Sequence, residues 1–204
     1  MANVCFVLGL VTSVLSLACV VVAMASSQWL RIRTPFFKND VGVMRHCDID
    51  SSFCGEMEKL NALVDAHYAA WFRSIQAMYL LHCIGMLVST VMYILYAVQF
   101  LESKGSFRVL TAFNFLALSA GIYAVAMFGM NHLSYFGLTD LSITEEMAEL
   151  GYGFNMAITG CCLSFLVMVF SAMEASRAVD LLQNMQNRLT VWTTPYTLFV
   201  DQEA

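Results

Sequence analysis

Charge is what this sequence has least of. Asp, Glu, Lys and Arg make up 12% of the 204 residues, about half the share in an ordinary soluble domain. Only two prolines and eleven glycines occur, which excludes a collagen-like or low-complexity chain. Ten basic residues stand against fifteen acidic ones with no basic cluster, so nucleic-acid binding has no electrostatic basis. Enzyme signatures are missing as well. There is no Gly-x-Ser-x-Gly, His-Glu-x-x-His, Walker loop or Cys-x-x-Cys, and Gly151-Tyr152-Gly153 does not complete a dinucleotide fingerprint. No acid–base pair converges, so the reading is a non-enzymatic chain with no cofactor and no metal site. What is abundant is apolar surface, 59% of residues, which rules out disorder and points to a small polytopic membrane protein.

Four stretches carry no Asp, Glu, Lys or Arg: Val4 to Ala25, Ile75 to Leu101, Val109 to Asn131 and Gly151 to Met173. Each exceeds the roughly 20 residues a helix needs to cross about 30 Å of hydrocarbon. None alternates apolar and polar residues as a barrel strand would. Backbone groups in lipid must bond within their own segment, so the spacing predicts an all-α transmembrane four-helix bundle over residues 1–177, followed by a tail over 178–204. Ala23-Met24-Ala25 before Ser26 has the form of a signal-peptidase site. No Lys or Arg precedes the run, however, and it is longer than a typical apolar signal core. A retained helix is therefore the preferred reading over a cleaved leader.

The connecting segments are 26–74, 102–108 and 132–150. The first holds six Lys/Arg and the third none, which by the positive-inside rule weakly places the first segment inside. Cysteine usage argues the opposite way. Of seven cysteines, Cys5, Cys19, Cys83, Cys161 and Cys162 fall in the spans, where they read as small packing residues. Cys47 and Cys54 alone lie in a connection. A disulfide between them needs an oxidising compartment. Zinc is the competing reading and lacks a second ligand pair. The disulfide is preferred, and with it a first segment outside the cell or in a lumen.

At this point the residues become recognisable. The first span ends in Val-Ala-Met-Ala-Ser-Ser-Gln-Trp29, and Gly42-Val43-Met44-Arg45-His46-Cys47 and then Cys54 follow. The pattern resembles the claudin superfamily motif, with Trp29, Gly42, Cys47 and Cys54 on motif positions and Arg73 where the family carries an Arg at the start of the second span. Gly151-Tyr152-Gly153-Phe154 is similar to the opening of the fourth span in peripheral myelin protein, epithelial membrane proteins, calcium channel gamma subunits and lens fibre membrane intrinsic protein. Val43 and Met44 stand in place of the family's Leu-Trp, no Asn-x-Ser/Thr sequon occurs, and Phe199-Val200-Asp201-Gln202-Glu203-Ala204 is not a PDZ ligand.

The resemblance implies a plasma-membrane protein with both termini cytoplasmic. It also implies a small extracellular antiparallel β-sheet, pinned by Cys47–Cys54, on the bundle. Trp29-Leu30-Arg31-Ile32-Arg33 partly alternates as a half-exposed strand should. Lys38-Asn39-Asp40 reads as a turn, 41–46 as the return strand, and 56–72 as a helical extension with Met57, Leu60, Leu63 and Val64 at helical spacing.

Trp29 has two readings, an interfacial anchor or, by the resemblance, a seat for the sheet. Arg73 either snorkels to the interface or contacts extracellular backbone. His82, Gln99, Asn114 and Asn155 are read as interhelical hydrogen bonders rather than an ion path. Ala117-x3-Gly121, Ala120-x3-Ala124 and Gly153-x3-Ala157-x3-Cys161 are close-packing faces, used within the bundle or for lateral self-association. Asp140, Glu145, Glu146 and Glu149 form either an ordinary solvated loop or an acidic rim for a basic partner. Beyond Met173, Leu182, Met185 and Leu189 share a face, so the fourth helix should continue as an amphipathic helix on the membrane or against a partner until Thr193-Thr194-Pro195 ends it. Phe199 lies in an apolar terminus of docking-peptide character. Two functions follow. One is a structural protein of cell–cell contacts that assembles laterally with itself or other membrane proteins and meets a protein on an apposed cell. The other is an auxiliary subunit of an ion channel or receptor, like calcium channel gamma or AMPA receptor regulatory proteins. A transporter is disfavoured, because the four spans carry no Asp, Glu, Lys or Arg.

Overall fold

In the computed structural model, residues 4–33, 38–49, 53–56, 66–98, 106–135 and 148–200 are described. The helices are α1 (Val4–Ala25), α2 (Ala66–Ala97), α3 (Ser106–Tyr135) and α4 (Tyr152–Val200). The strands are β1 (Leu30–Arg33), β2 (Lys38–Val41), β3 (Arg45–Asp48), β4 (Phe53–Glu56) and β5 (Ala148–Leu150). Four helical stretches are long and apolar enough to cross a membrane: Val4–Ala25, Trp71–Ala97, Phe107–His132 and Tyr152–Arg177. The chain is a multi-pass membrane protein by this measure.

The distribution of side chains on α1 shows why lipid is its solvent. Its buried stripe is Gly9, Ser13, Ser16, Val20 and Ala23, recurring every three or four residues as one helix face must. Its outward face carries Val7, Leu8, Val11, Val14, Leu15 and Val22, all exposed. Small and polar residues point in and large aliphatics point out, the inverse of a water-soluble helix. The small residues allow close helix approach, which is how membrane helices pack without a hydrophobic driving force between them.

The helices form a ring in which α1 packs on α2 and α4, and α3 packs on α2 and α4. Each of the four seams carries a polar bond. Ser13 and Thr90 hydroxyls share one of 2.6 Å between α1 and α2. His82 Nδ1 donates to the Ala117 carbonyl at 2.7 Å between α2 and α3. Thr111 Oγ1 donates to Ser171 Oγ at 3.1 Å between α3 and α4, with Asn114 Nδ2 behind it at 3.4 Å. Ser16 Oγ meets Ser164 Oγ at 2.9 Å and the Gly160 carbonyl at 3.0 Å between α4 and α1. His82 and Asn114 thus bond between helices as expected, whereas Asn155 is exposed and Gln99 lies outside the described residues. Gly85 and Gly121 set α2 against α3, packing on Ala117 and on the His82 ring. The small-residue faces therefore serve the bundle's own seams.

The five strands form one antiparallel sheet in the order β4-β3-β2-β1-β5. It lies at the end of the bundle where α1 finishes and α4 begins. β1 alternates as predicted, with Leu30 and Ile32 buried and Arg31 and Arg33 outward.

Several expectations need correction. Lys38-Asn39-Asp40 is strand, not turn. The predicted return strand is interrupted by a tight hairpin in which the Gly42 amide donates to the Arg45 carbonyl at 2.7 Å. The turn reading failed because Asp40, a turn former in isolation, is held in the strand by side-chain partners. α2 begins at Ala66, nine residues before the charge-free run, so 66–72 are helical as the predicted extension has them, whereas Glu56 is paired in β4 rather than helical; Met57, Leu60, Leu63 and Val64 lie outside the described residues. α4 is helical through Val200, past Pro195, where an end was predicted, although an interior proline removes one backbone bond and crowds the carbonyl four residues earlier. Cys161 is buried, but Cys162 is exposed on the outer face of α4, so it is no interior packing residue.

Candidate functional site

The sheet stands on a single indole. Trp29 follows the last turn of α1 and is fully buried. Its Nε1 donates to the Ala23 carbonyl at 2.7 Å, satisfying one of the carbonyls that a helix leaves unpaired at its C-terminus. Around the ring stand Tyr79 of α2, Phe128 of α3 and Phe154 of α4, edge-on at centroid distances of 5.0, 5.2 and 5.9 Å. That is the favourable geometry for aromatic pairs, worth about 0.5–1.5 kcal/mol each beyond area burial. One side chain thus touches all four helices. Leu30, Ile32, Val41, Val43 and Ala148 close the same cluster from the sheet.

The backbone at 26–29 ties the layers together. The Trp29 amide donates to the Val41 carbonyl at 3.0 Å. The Trp29 carbonyl accepts from Gly151 and the Gln28 carbonyl from Gly153, both at 2.9 Å. The last two bonds give partners to amides at the start of α4, where helices have unpaired donors. Close approach is what requires glycine here. A Cβ on Gly42 would run into the Ser26 carbonyl, one on Gly151 into the Gln28 carbonyl, and one on Gly153 would lie 2.7 Å from Ser26 Oγ and 2.9 Å from Trp29 Cδ1.

Cys47 and Cys54 form a disulfide. They are directly opposite in the β3–β4 register, with Cα atoms 4.2 Å apart, so the link fastens the outermost hairpin of the sheet. A polar network crosses β1 and β2. Asp40, 4% exposed, receives Arg33 Nη2 at 2.8 Å and Gln28 Nε2 at 3.0 Å, and Arg31 Nη2 donates to Gln28 Oε1 at 2.6 Å. A buried carboxylate is tolerated because it is both paired and hydrogen-bonded.

Among the predicted site residues, Trp29 and Gly42 meet at the seat of the sheet, and Cys47 and Cys54 meet in its outer hairpin. Arg73 does not join them. It is exposed and has no polar partner among the described residues; the contact to sheet-side backbone comes from Gln76, whose Nε2 donates to the Val43 carbonyl at 2.6 Å. Glu149 is exposed in β5, opposite Arg31 in register. Asp140, Glu145 and Glu146 lie outside the described residues. Leu182, Met185, Leu189 and Phe199 fall within α4, and their side chains lie outside the description. Gln28, Tyr79 and Phe128 were not singled out in the sequence, and Asp40 only as part of a turn. Tyr79 and Phe128 carry no local signal, because what marks them is convergence on Trp29. Among the described residues no group of three or more His, Cys, Asp or Glu is placed to hold a metal ion.

No protein-family model matches the chain, and no curated protein matches it.

Proposed function

We propose that this chain is a non-enzymatic, claudin-like plasma-membrane protein acting at cell–cell contacts, with both termini cytoplasmic and the sheet outside the cell. The observation that carries the reading is the disulfide-tied antiparallel sheet seated through Trp29 on all four helices. A disulfide persists only in an oxidising compartment, which supports an outward-facing sheet. A rigidly seated sheet presents fixed edges, here β4 and β5, and sheet edges pair readily with other chains. Lateral neighbours and a protein on an apposed cell are the partners proposed. The runner-up is an auxiliary subunit of an ion channel or receptor. The feature that favours it is α4, which continues from the membrane to Val200 and offers a long helix to a partner.

Two measurements test the pair. Full-length protein in transfected, otherwise non-adherent cells should concentrate at cell borders and cause aggregation. Recovery from mild detergent in a fixed-stoichiometry complex with a channel, with no enrichment at borders, rejects the contact reading in favour of the second. Orientation is tested separately in cells treated with a reductant. An impermeant thiol reagent should then label Cys47 and Cys54 from outside; labelling only after permeabilisation of the plasma membrane overturns the topology.

A further inference from the structure

Among the described residues the sheet covers one end of the bundle and nothing covers the other. Between α3 and α4, at the end far from the sheet, runs a groove of about 970 Å³. Its floor and walls are apolar, with Ala112, Phe115 and Leu116 on one helix and Met168 and Ala172 on the other. Its mouth is basic, with Arg108 on α3 and Arg177 on α4. Arg108 directly precedes the charge-free run Val109 to Asn131, and Arg177 lies one helical turn past the charge-free run Gly151 to Met173, so both stand at the same end of the bundle, where the apolar stretches give way to the polar headgroup layer. From Arg108 to Leu116 the groove descends about 12 Å at 1.5 Å per residue, most of the roughly 15 Å depth of one leaflet.

Among the described residues the charge at the mouth is unbalanced. Arg177 is paired with Glu174 at 3.3 Å, and Glu174 is itself buried. Arg108 is exposed and has no acidic or polar partner among the described residues. It lies two residues into α3, where the unpaired amides and the helix dipole favour an anion. Thr111 and Ser176 add hydroxyls to the wall.

We propose that this groove is a binding site for an anionic glycerophospholipid of the leaflet opposite the sheet, with one acyl chain between α3 and α4 and the phosphate at Arg108, secondarily Arg177. A neutral lipid or a sterol satisfies the apolar walls but leaves the Arg108 charge unanswered. A second copy of this chain would have to bring an acidic side chain to the same depth. The described spans offer only Glu174, which is already buried against Arg177. The site does not depend on whether the sheet meets another cell.

The test uses the full-length protein purified in detergent and given an equimolar mixture of phosphatidylserine and phosphatidylcholine with identical acyl chains, with bound lipid read by native mass spectrometry. The anionic lipid should be retained preferentially. Removing one basic charge near a lipid surface costs about fivefold, so Arg108→Gln should cut the preference about fivefold. Arg177→Gln should cut it less, because that charge is shared with Glu174. Arg108→Lys should keep most of it. Ala112→Phe, which fills the groove, should release both lipids while thermal unfolding shows the bundle intact. Equal retention of the two lipids overturns the proposal. So does a preference that survives Arg108→Gln, or an Ala112→Phe variant that loses a dimer instead of lipid.

Discussion

The two ends of the bundle are built on different principles. At the sheet end, Trp29 collects a ring from each of three helices and caps the fourth, and the strands add hydrogen bonds and a disulfide. At the far end an aromatic cluster also exists, with Tyr93 near Phe6 at 5.8 Å and Phe107 at 6.1 Å, but nothing lies over it among the described residues. The Tyr93 hydroxyl is buried without a hydrogen-bond partner, and the α3–α4 groove opens beside Arg108 and Arg177. The segment under the sheet supplies hydrogen-bond partners to the end of α1 and the start of α4. Among the described residues the far end is held by side-chain packing, which leaves the Tyr93 hydroxyl unpaired and a cleft between α3 and α4.

The largest expected effect strikes the sheet end. Trp29→Ala removes three ring contacts and leaves the Ala23 carbonyl without its donor, so it should cost about 3–5 kcal/mol. Thermal unfolding in a single detergent should show loss of the folded protein or a large drop in Tm. A Trp29→Ala protein as stable as the native chain would mean that the sheet, not the indole, holds the helices together.

Next comes the disulfide. Removing it by Cys54→Ser frees an eight-residue loop, for which chain entropy gives about 2.5 kcal/mol. The damage should be local, with faster hydrogen exchange in β3 and β4 and little change in α3 and α4. In cells the variant should be retained in the endoplasmic reticulum. Normal surface delivery with unchanged exchange would show that hairpin pairing alone suffices.

The four polar seams lie between the two ends and should matter less. Interhelical hydrogen bonds in membranes average about 0.6 kcal/mol, so Ser16→Ala, which deletes the bonds to Ser164 and Gly160, should lower stability by about that amount. A loss of several kcal/mol would make the seam, rather than the aromatic seat, the main clasp between α1 and α4.

How much of this was legible depends on range. The spans were visible because freedom from charge over more than 20 residues is a local property. β1 was visible because Leu30 to Arg33 alternates. β5 was not, since Ala148-Glu149-Leu150 is too short to show a period, and it becomes a strand only by pairing with β1. Asp40 was misplaced for a related reason: its turn preference is local, while Gln28 and Arg33, which hold it in β2, act across the fold. The cysteine pair was visible because Cys47 and Cys54 alone lie in a connection, while Trp29 and Gly42 were marked by the resemblance. Arg73 was marked too, yet Gln76 one turn later makes the backbone contact, a choice set by helix phase that a motif position does not record. The α3–α4 groove left no trace in the sequence beyond two arginines at span ends.

The smallest expected effect separates the two ends most sharply. Trp29 and Tyr93 are both buried aromatics with a polar atom, but only the first has a partner for it. Tyr93→Phe deletes a hydroxyl that was desolvated for no bond, so stability should stay the same or rise by up to about 1 kcal/mol. Trp29→Phe deletes a donor whose acceptor stays buried, and should cost about 1–3 kcal/mol from that loss alone. The two variants, unfolded side by side in one detergent, should therefore shift in different directions or by clearly different amounts. If Tyr93→Phe were the more damaging, the far end would hold a hydrogen bond of its own, and the contrast between a capped and an uncapped end would fail.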